Sequence, residues 1–363
     1  MDFYDTERIF REIEEDIIRK LVNQFRKARP DGDLEGYEWK DWRKRQLKSV
    51  RGFTKDLRRK YWPWYKRLNA WIKDFIQGAF ADALTKSIKE QVGEIEDDGF
   101  FGINKTRMDT LIKATTDDME RVEAAVFRKT EDEYRQIIYK AEMALNSGVY
   151  TYDQAVDIAT KDFLKNGIDC VVYKNGARHT VKSYAKMVLR TNTKRAGLMA
   201  EGEMRTRLGI HTVYARWRDL ACPKCMKYLG RIMVDDVYSV GTPDELIGLP
   251  EDALMLSEAM EGGFLHPNCL DTIGTYDMRL YAKDPSNDPL KKTLEYKERY
   301  EEKQRQKALE REAENYAFMA ENQLTPSNRK AYEKKAEEKR QKAEELEKIV
   351  KELDKEMEKE KSA

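Results

Sequence analysis

Over the first 165 positions, apolar residues recur at three- and four-residue spacing, the period that gathers side chains on one face of an α-helix. Ile9, Ile13, Ile17, Leu21 and Phe25 follow at four-residue steps and predict a first helix. Arg29-Pro30-Asp31-Gly32 should stop it, because Pro cannot continue the hydrogen-bond ladder and Gly accepts positive φ. Val50, Leu57, Trp64 and Trp71 lie seven apart, beside Tyr61, Leu68 and Phe75 on the same period, and predict a packing stripe. Pro63 should interrupt that stripe and begin a new helix. Further helices are expected over about 105–146 and 153–164.

The period changes after Asn166-Gly167. Asp169 to Lys174 and Arg178 to Val181 are β-rich runs flanking Asn175-Gly176, a pair that favours the positive φ of a two-residue turn, so a hairpin is predicted. A helix over about 183–208 and a short strand over about 212–217 follow, then a loop-rich stretch punctuated by Gly and Pro. From Pro289 onward Gly nearly disappears and Pro326 divides two charged helical segments. Ala336, Ala343, Val350 and Met357 fall seven apart, with Leu346 and Leu353 in the complementary position, as in a coiled-coil helix with a mostly wet surface. The reading is therefore a mainly α protein with a small α+β middle. It divides into a helical domain over 1–165, an α+β core over 166–285 and a charged helical tail over 286–363, which offers a surface for self-association.

Composition narrows the function classes. Charged residues make up 37% of the 363, and mean hydropathy is -0.82, so no segment should span a membrane. The start, Met1 to Glu7, is acidic and lacks the basic-then-apolar form of a secretory signal, so synthesis in a cytoplasm is expected. Although 68 basic residues nearly balance 67 acidic ones, the charge is segregated. The segment 40–73 carries about +11 and the remainder about -10. Within it, Arg43, Lys44, Arg45, Lys48, Arg51, Arg58, Arg59 and Lys60 are interleaved with Trp39, Trp42 and Phe53. Clustered cations neutralise phosphates, and aromatic rings could stack on bases, so non-specific binding of double-stranded DNA is one reading. An acidic protein partner is the other.

Cys222-Pro223-Lys224-Cys225 and His266-Pro267-Asn268-Cys269 provide two donor pairs, each with two residues between its members. Four such donors suit a tetrahedral structural Zn with every position filled by protein. Reduced buried cysteines, or a disulfide from Cys269 to either member of the first pair, remain the alternatives. Cys170 is read as an ordinary buried thiol. No catalytic residue is assigned. The deaminase pattern fails, since His179 and His211 are each followed by Thr-Val, and no phosphate-cradling Gly motif occurs. A nucleophilic pair of Cys225 with His211 has no feature that would activate the thiol.

Tyr184-Ala185-Lys186-Met187-Val188-Leu189-Arg190-Thr191, the first Cys pair followed by Gly230-Arg231-Ile232, and Gly263-Phe264-Leu265-His266-Pro267-Asn268-Cys269 follow one another along the chain. Together these segments resemble phage minor capsid proteins of the head-morphogenesis type, and more narrowly the minor capsid protein 2 group. Further on, Tyr300 to Arg305 and Leu309-Glu310-Arg311 look like that group's charged helix. Leu270-Asp271 departs from the Arg-His or Arg-Cys usual after the last Cys, and a basic Trp-containing stretch is missing after Glu310-Arg311. The resemblance implies a non-enzymatic virion component made in a bacterial host. It would lie inside the head near the portal vertex, bind portal and other capsid proteins, and assist assembly, packaging or DNA delivery. The competing class is a phage-borne nuclease or transferase toxin on the same scaffold.

Overall fold

The computed structural model describes residues 3–32, 37–91, 105–168, 171–172, 176, 178–218, 221–277 and 289–362; Cys170 and most of the hairpin turn lie outside them. The described chain is mainly helical with a small sheet region, in agreement with the sequence pattern. In order it runs α1 (Phe3–Lys27), α2 (Tyr37–Gln91), α3 (Lys105–Asn146), α4 (Tyr152–Asn166), β1 (Val171–Val172), β2 (Arg178–His179) and α5 (Val181–Leu208). There follow β3 (Thr212–Ala215), α6 (Pro223–Met226), β4 (Ile232–Val234), β5 (Leu254–Met255), α7 (Leu256–Glu261), β6 (Ile273–Thr275), α8 (Pro289–Glu321) and α9 (Pro326–Ser362). No described helix is long and apolar enough to cross a membrane.

The chain forms two compact units, each drawn from separated stretches. The first unit comprises Met1–Asn69, Asp118–Lys186 and Lys303–Ala363; the second comprises Ala70–Asp117 and Met187–Glu302.

In the first unit, α1 buries Phe10, Ile17, Leu21 and Phe25 completely. Phe10 stacks on Tyr65 at 5.9 Å between centroids, and Tyr134 receives both Phe25 and Phe53 edge-on at 5.3 Å. Removing each such ring from water contributes roughly 1.5–3 kcal/mol. Two features of α2 correct the sequence reading. Pro63 lies inside one continuous helix, not at the start of a new one. It is on the exposed side, so water can satisfy the Arg59 carbonyl released by the missing N–H. The buried stripe also leaves the seven-residue period. Val50, Leu57, Tyr61, Tyr65, Leu68, Ile72 and Ile76 are buried, whereas Trp64 is 48% exposed and Trp71 half-buried. Val50, Tyr61 and Ile72 fall eleven apart, as do Leu57 with Leu68 and Tyr65 with Ile76. A straight helix follows that repeat, because it drifts by about 20° per heptad.

The charged tail is no free solvated helix. Glu312 pairs with Lys339 at 2.5 Å and Tyr316 stacks on Tyr332, so α8 and α9 fold back on each other. Arg19 of α1 meets Glu321 and lies over the Phe318 ring. Ala336, Ala343 and Val350 are buried within the chain, occupying the face that self-association would need. At the turn, Asp157 of α4 accepts hydrogen bonds from the Leu324 and Thr325 N–H groups, the Thr325 hydroxyl and Asn328 Nδ2. One buried carboxylate thereby anchors the turn that leads into α9, at the helix end whose dipole favours a negative charge. The expected hairpin is present: Val171 pairs with His179 and Val172 with Arg178, antiparallel, with Gly176 at φ +81°.

The second unit contains a sheet in the order β5-β4-β3-β6, with β3 antiparallel to β4 and β6, and β4 parallel to β5. Only β3 was legible as a strand; the others have two or three residues, too few for a period of two to register. The sheet, α5 and α7 share a core containing Leu198, Val213, Met233, Leu256, Phe264 and Ile273, in which Cys225 and Cys269 are also buried. Arg205 and Asp235, both fully buried, pair at 2.7 Å, and Asp235 also accepts the Tyr238 N–H at 2.8 Å.

Candidate functional site

The two donor pairs are presented by two tight turns of the second unit. Cys222 precedes α6, and its carbonyl accepts the N–H groups of Cys225 and Met226, both at 3.0 Å, so a single helical turn gathers the first pair. In the second, the Cys269 N–H returns to the His266 carbonyl at 3.0 Å. Asn268 takes φ +65° there, and α5 holds it: Arg190 donates to Asn268 Oδ1 and Thr191 Oγ1 accepts the Asn268 N–H, each at 2.9 Å. Gly230 has φ +77°, and a Cβ there would lie 2.9 Å from the Trp217 ring.

The turns bring Cys222 Sγ to 3.0 Å from His266 Nε2 and Cys225 Sγ to 3.4 Å from Cys269 Sγ. His266 Nδ1 lies 2.8 Å from the Pro267 carbonyl, an acceptor, so the proton is assigned to Nδ1 and the Nε2 lone pair faces the Cys222 thiol. The hydrogen bond donated by Cys225 lowers the Cys269 pKa; the Lys194 charge and the Asp271 N–H, 3.3 Å from its sulfur, act in the same direction. That same bond, and then burial, raises the Cys225 pKa.

Donor atoms of Cys222, Cys225 and His266 lie within 4.8 Å of one another, and so do those of Cys225, Cys269 and Asp271. The four expected residues are therefore together, as two overlapping triads sharing Cys225. Three thiols and an imidazole nitrogen facing them fit a soft or borderline divalent ion. Asp271 extends the donor set, with Oδ1 held by Arg218 at 3.1 Å and Oδ2 3.4 Å from Cys269 Sγ. Lys194 of α5 places a buried ammonium, without a hydrogen-bond partner among the described residues, in the field of Cys269, Asp271 and Cys225. Burial lowers its pKa, and those three groups oppose the shift. Asp271 had a local signal, two positions after the last Cys. Lys194, 28 residues before Cys222, had none. His211 Nδ1 lies against Ser239 at 3.3 Å, while Cys225 pairs with Cys269, so the fold assembles no Cys225–His211 couple.

The eight candidate cations of the basic segment, Arg43 to Lys60, lie on the first unit's part of α2. Arg45, Lys48, Arg51, Arg58 and Arg59 are exposed. Arg43 binds Glu142 at 2.8 Å and lies over the Tyr139 ring; Lys60 binds Asp16 at 2.7 Å, which raises its pKa. Lys44 and Arg59 pair with Asp41 and Asp56 on their own helix, and Arg58 covers the Phe127 ring. The aromatic half of the expectation is corrected: Trp39, Trp42 and Phe53 are buried, and the two Trp rings pack against Tyr152. None of the three is open to a base.

A family model described as phage minor capsid protein 2 matches residues 4–353. Neither the curated proteins nor the solved structures yield a match.

Proposed function

The chain belongs to the phage minor capsid protein 2 family, and from that premise we propose that it binds packaged double-stranded DNA through the outward cations of α2. As a member of this family it is a structural component of the phage head and resides in the virion. In our reading it lies inside the head near the portal vertex and contacts portal protein, assisting assembly, packaging or DNA delivery, while one Zn held by Cys222, Cys225, His266 and Cys269 staples the second unit. Such an ion ties two turns separated by 40 residues that include β4, β5 and α7, and offsets the entropy of ordering that stretch.

The observation that carries the DNA reading is the exposure of Arg45, Lys48 and Arg51 on a stretch of α2 whose aromatic residues Trp39, Trp42 and Phe53 face inward. Phosphate neutralisation by such a face is indifferent to sequence and steeply salt-dependent. Replacing these three by Gln should weaken binding to a random-sequence duplex and lower the slope of log affinity against log salt by up to about 2.7, at about 0.9 per lost phosphate contact. A gel-shift titration from 50 to 300 mM salt measures it; an unchanged slope would return this face to an acidic protein partner.

A further inference from the structure

A groove of about 1060 Å³ runs between α1 and α2 of the first unit. Its α1 wall carries Lys20, Arg26 and Lys27, and its α2 wall carries Arg59 and Lys60; Asp56 is the lone carboxylate among the lining residues. Four of these five cations are held rather than swept freely. Lys60 and Lys20 reach Asp16 at 2.7 and 3.8 Å, Arg59 reaches Asp56 at 2.9 Å, and Arg26 donates to Asn23 Oδ1 at 2.9 Å. Positioned donors of this kind lose little further side-chain entropy when an anion arrives.

Gly52 also lines the groove. It lies inside a 55-residue helix, where Gly costs about 1 kcal/mol relative to Ala, and a Cβ built on it would meet nothing within 4 Å. No packing contact requires a glycine there; what the missing side chain leaves is open space and an approachable backbone between two cationic walls. We propose that this groove seats one phosphodiester strand of double-stranded DNA, with α1 supplying the second wall. The inference rests on the DNA reading of α2 and adds to it the α1 cations and a defined seat.

Two independent variants test it. Gly52→Leu fills the groove without changing charge and raises helix propensity, so loss of fold is not its expected effect. Arg26→Gln with Lys27→Gln removes two phosphate partners. With a random-sequence duplex at 0.1 M salt, each variant should bind about tenfold or more weakly, and the double Gln variant should lower the salt slope by about 1.8. Gly78→Leu, at an equally open glycine of the same helix outside the groove, should change neither.

If the Arg45, Lys48 and Arg51 variant weakens binding while both groove variants match the parent, the groove assignment falls and the DNA reading stands. If the parent protein does not bind the duplex at all, both fall. Competition by polyglutamate as effective, charge for charge, as competition by DNA would overturn the phosphodiester seat in favour of an acidic protein segment.

Discussion

Glu123 illustrates how one buried side chain makes stability depend on pH. It is buried in the first unit and accepts a 3.0 Å hydrogen bond from Asn69 Nδ2, while Glu123 Oε1 and Asn69 Oδ1 have no partner among the described residues. A proton on the carboxyl supplies the donor that this pair lacks, and burial pushes the Glu123 pKa up from 4.5 to about 8. Glu14, buried and accepting the Ile168 N–H at 2.8 Å, is likewise pushed up, to about 7. Because both folded-state values are raised, the fold favours the neutral acids. That contribution is full below about pH 4.5 and is lost as pH rises through about 7 to 8. Unfolding free energy should therefore decline over this window. Glu123→Gln should flatten the decline by a few kcal/mol, at about 1.4 kcal/mol per pKa unit; urea titrations at pH 5, 7 and 9 measure it. Equal pH dependence in parent and variant would mean that Glu123 is ionised without penalty.

Among the elements, α2 shows what periodicity fixes and where it slips. Val50 and Leu57 lie on both the seven- and the eleven-residue repeat and are buried on either reading. By Trp64 the two repeats have separated, and Tyr65 rather than Trp64 enters the core, between Phe10 and Phe127. Tyr65→Ala should cost about 3–5 kcal/mol, as deletion of a buried ring does, whereas Trp64→Ala should cost less than about 1 kcal/mol. Urea midpoints of the two variants compare them directly, and a larger loss for Trp64→Ala would restore the heptad stripe. The same contrast explains the basic face. Aromatic residues at positions 39, 42 and 53 alternate with cations because one side of α2 packs and the other is wet, not because rings and charges act on one ligand.

At the scale of the whole chain, the proposed metal staple would belong to the second unit, whose core contains Cys225 and Cys269. Protein purified under reducing conditions should contain about one equivalent of Zn, and Cys225→Ser or Cys269→Ser should abolish it. Hydrogen exchange should then show lost protection over residues 212–275, with α1 and α9 keeping theirs, because each unit has its own core. Less than about a tenth of an equivalent in the parent protein would refute the staple, and a Cys–Cys bond in that sample would identify the disulfide instead. Lys194 gives a finer readout. Lys194→Met removes the buried cation beside the thiols without removing a ligand, so it should weaken metal retention against a chelator by about ten- to a hundredfold.

The sequence by itself determined the features that depend on neighbours a few residues away. These were the reach of α1, α3 and α4, the hairpin strands, and the two turns that each present a donor pair, since helical period, Pro and Gly punctuation and x-x spacing are all local. Family membership was legible for the same reason, in short motifs whose tasks the structure supplies: Arg190 and Thr191 hold Asn268, and Gly230 makes room for Trp217. Tertiary structure alone decided the rest. It set the phase of the α2 stripe, paired Arg43 with Glu142 across 99 residues and Asp157 with the start of α9 across 168. It assembled a sheet from strands too short to announce themselves and carried Lys194 to the thiols. Each of these is a contact between residues far apart in the chain, whose free energy depends on burial and dielectric that no local spacing encodes.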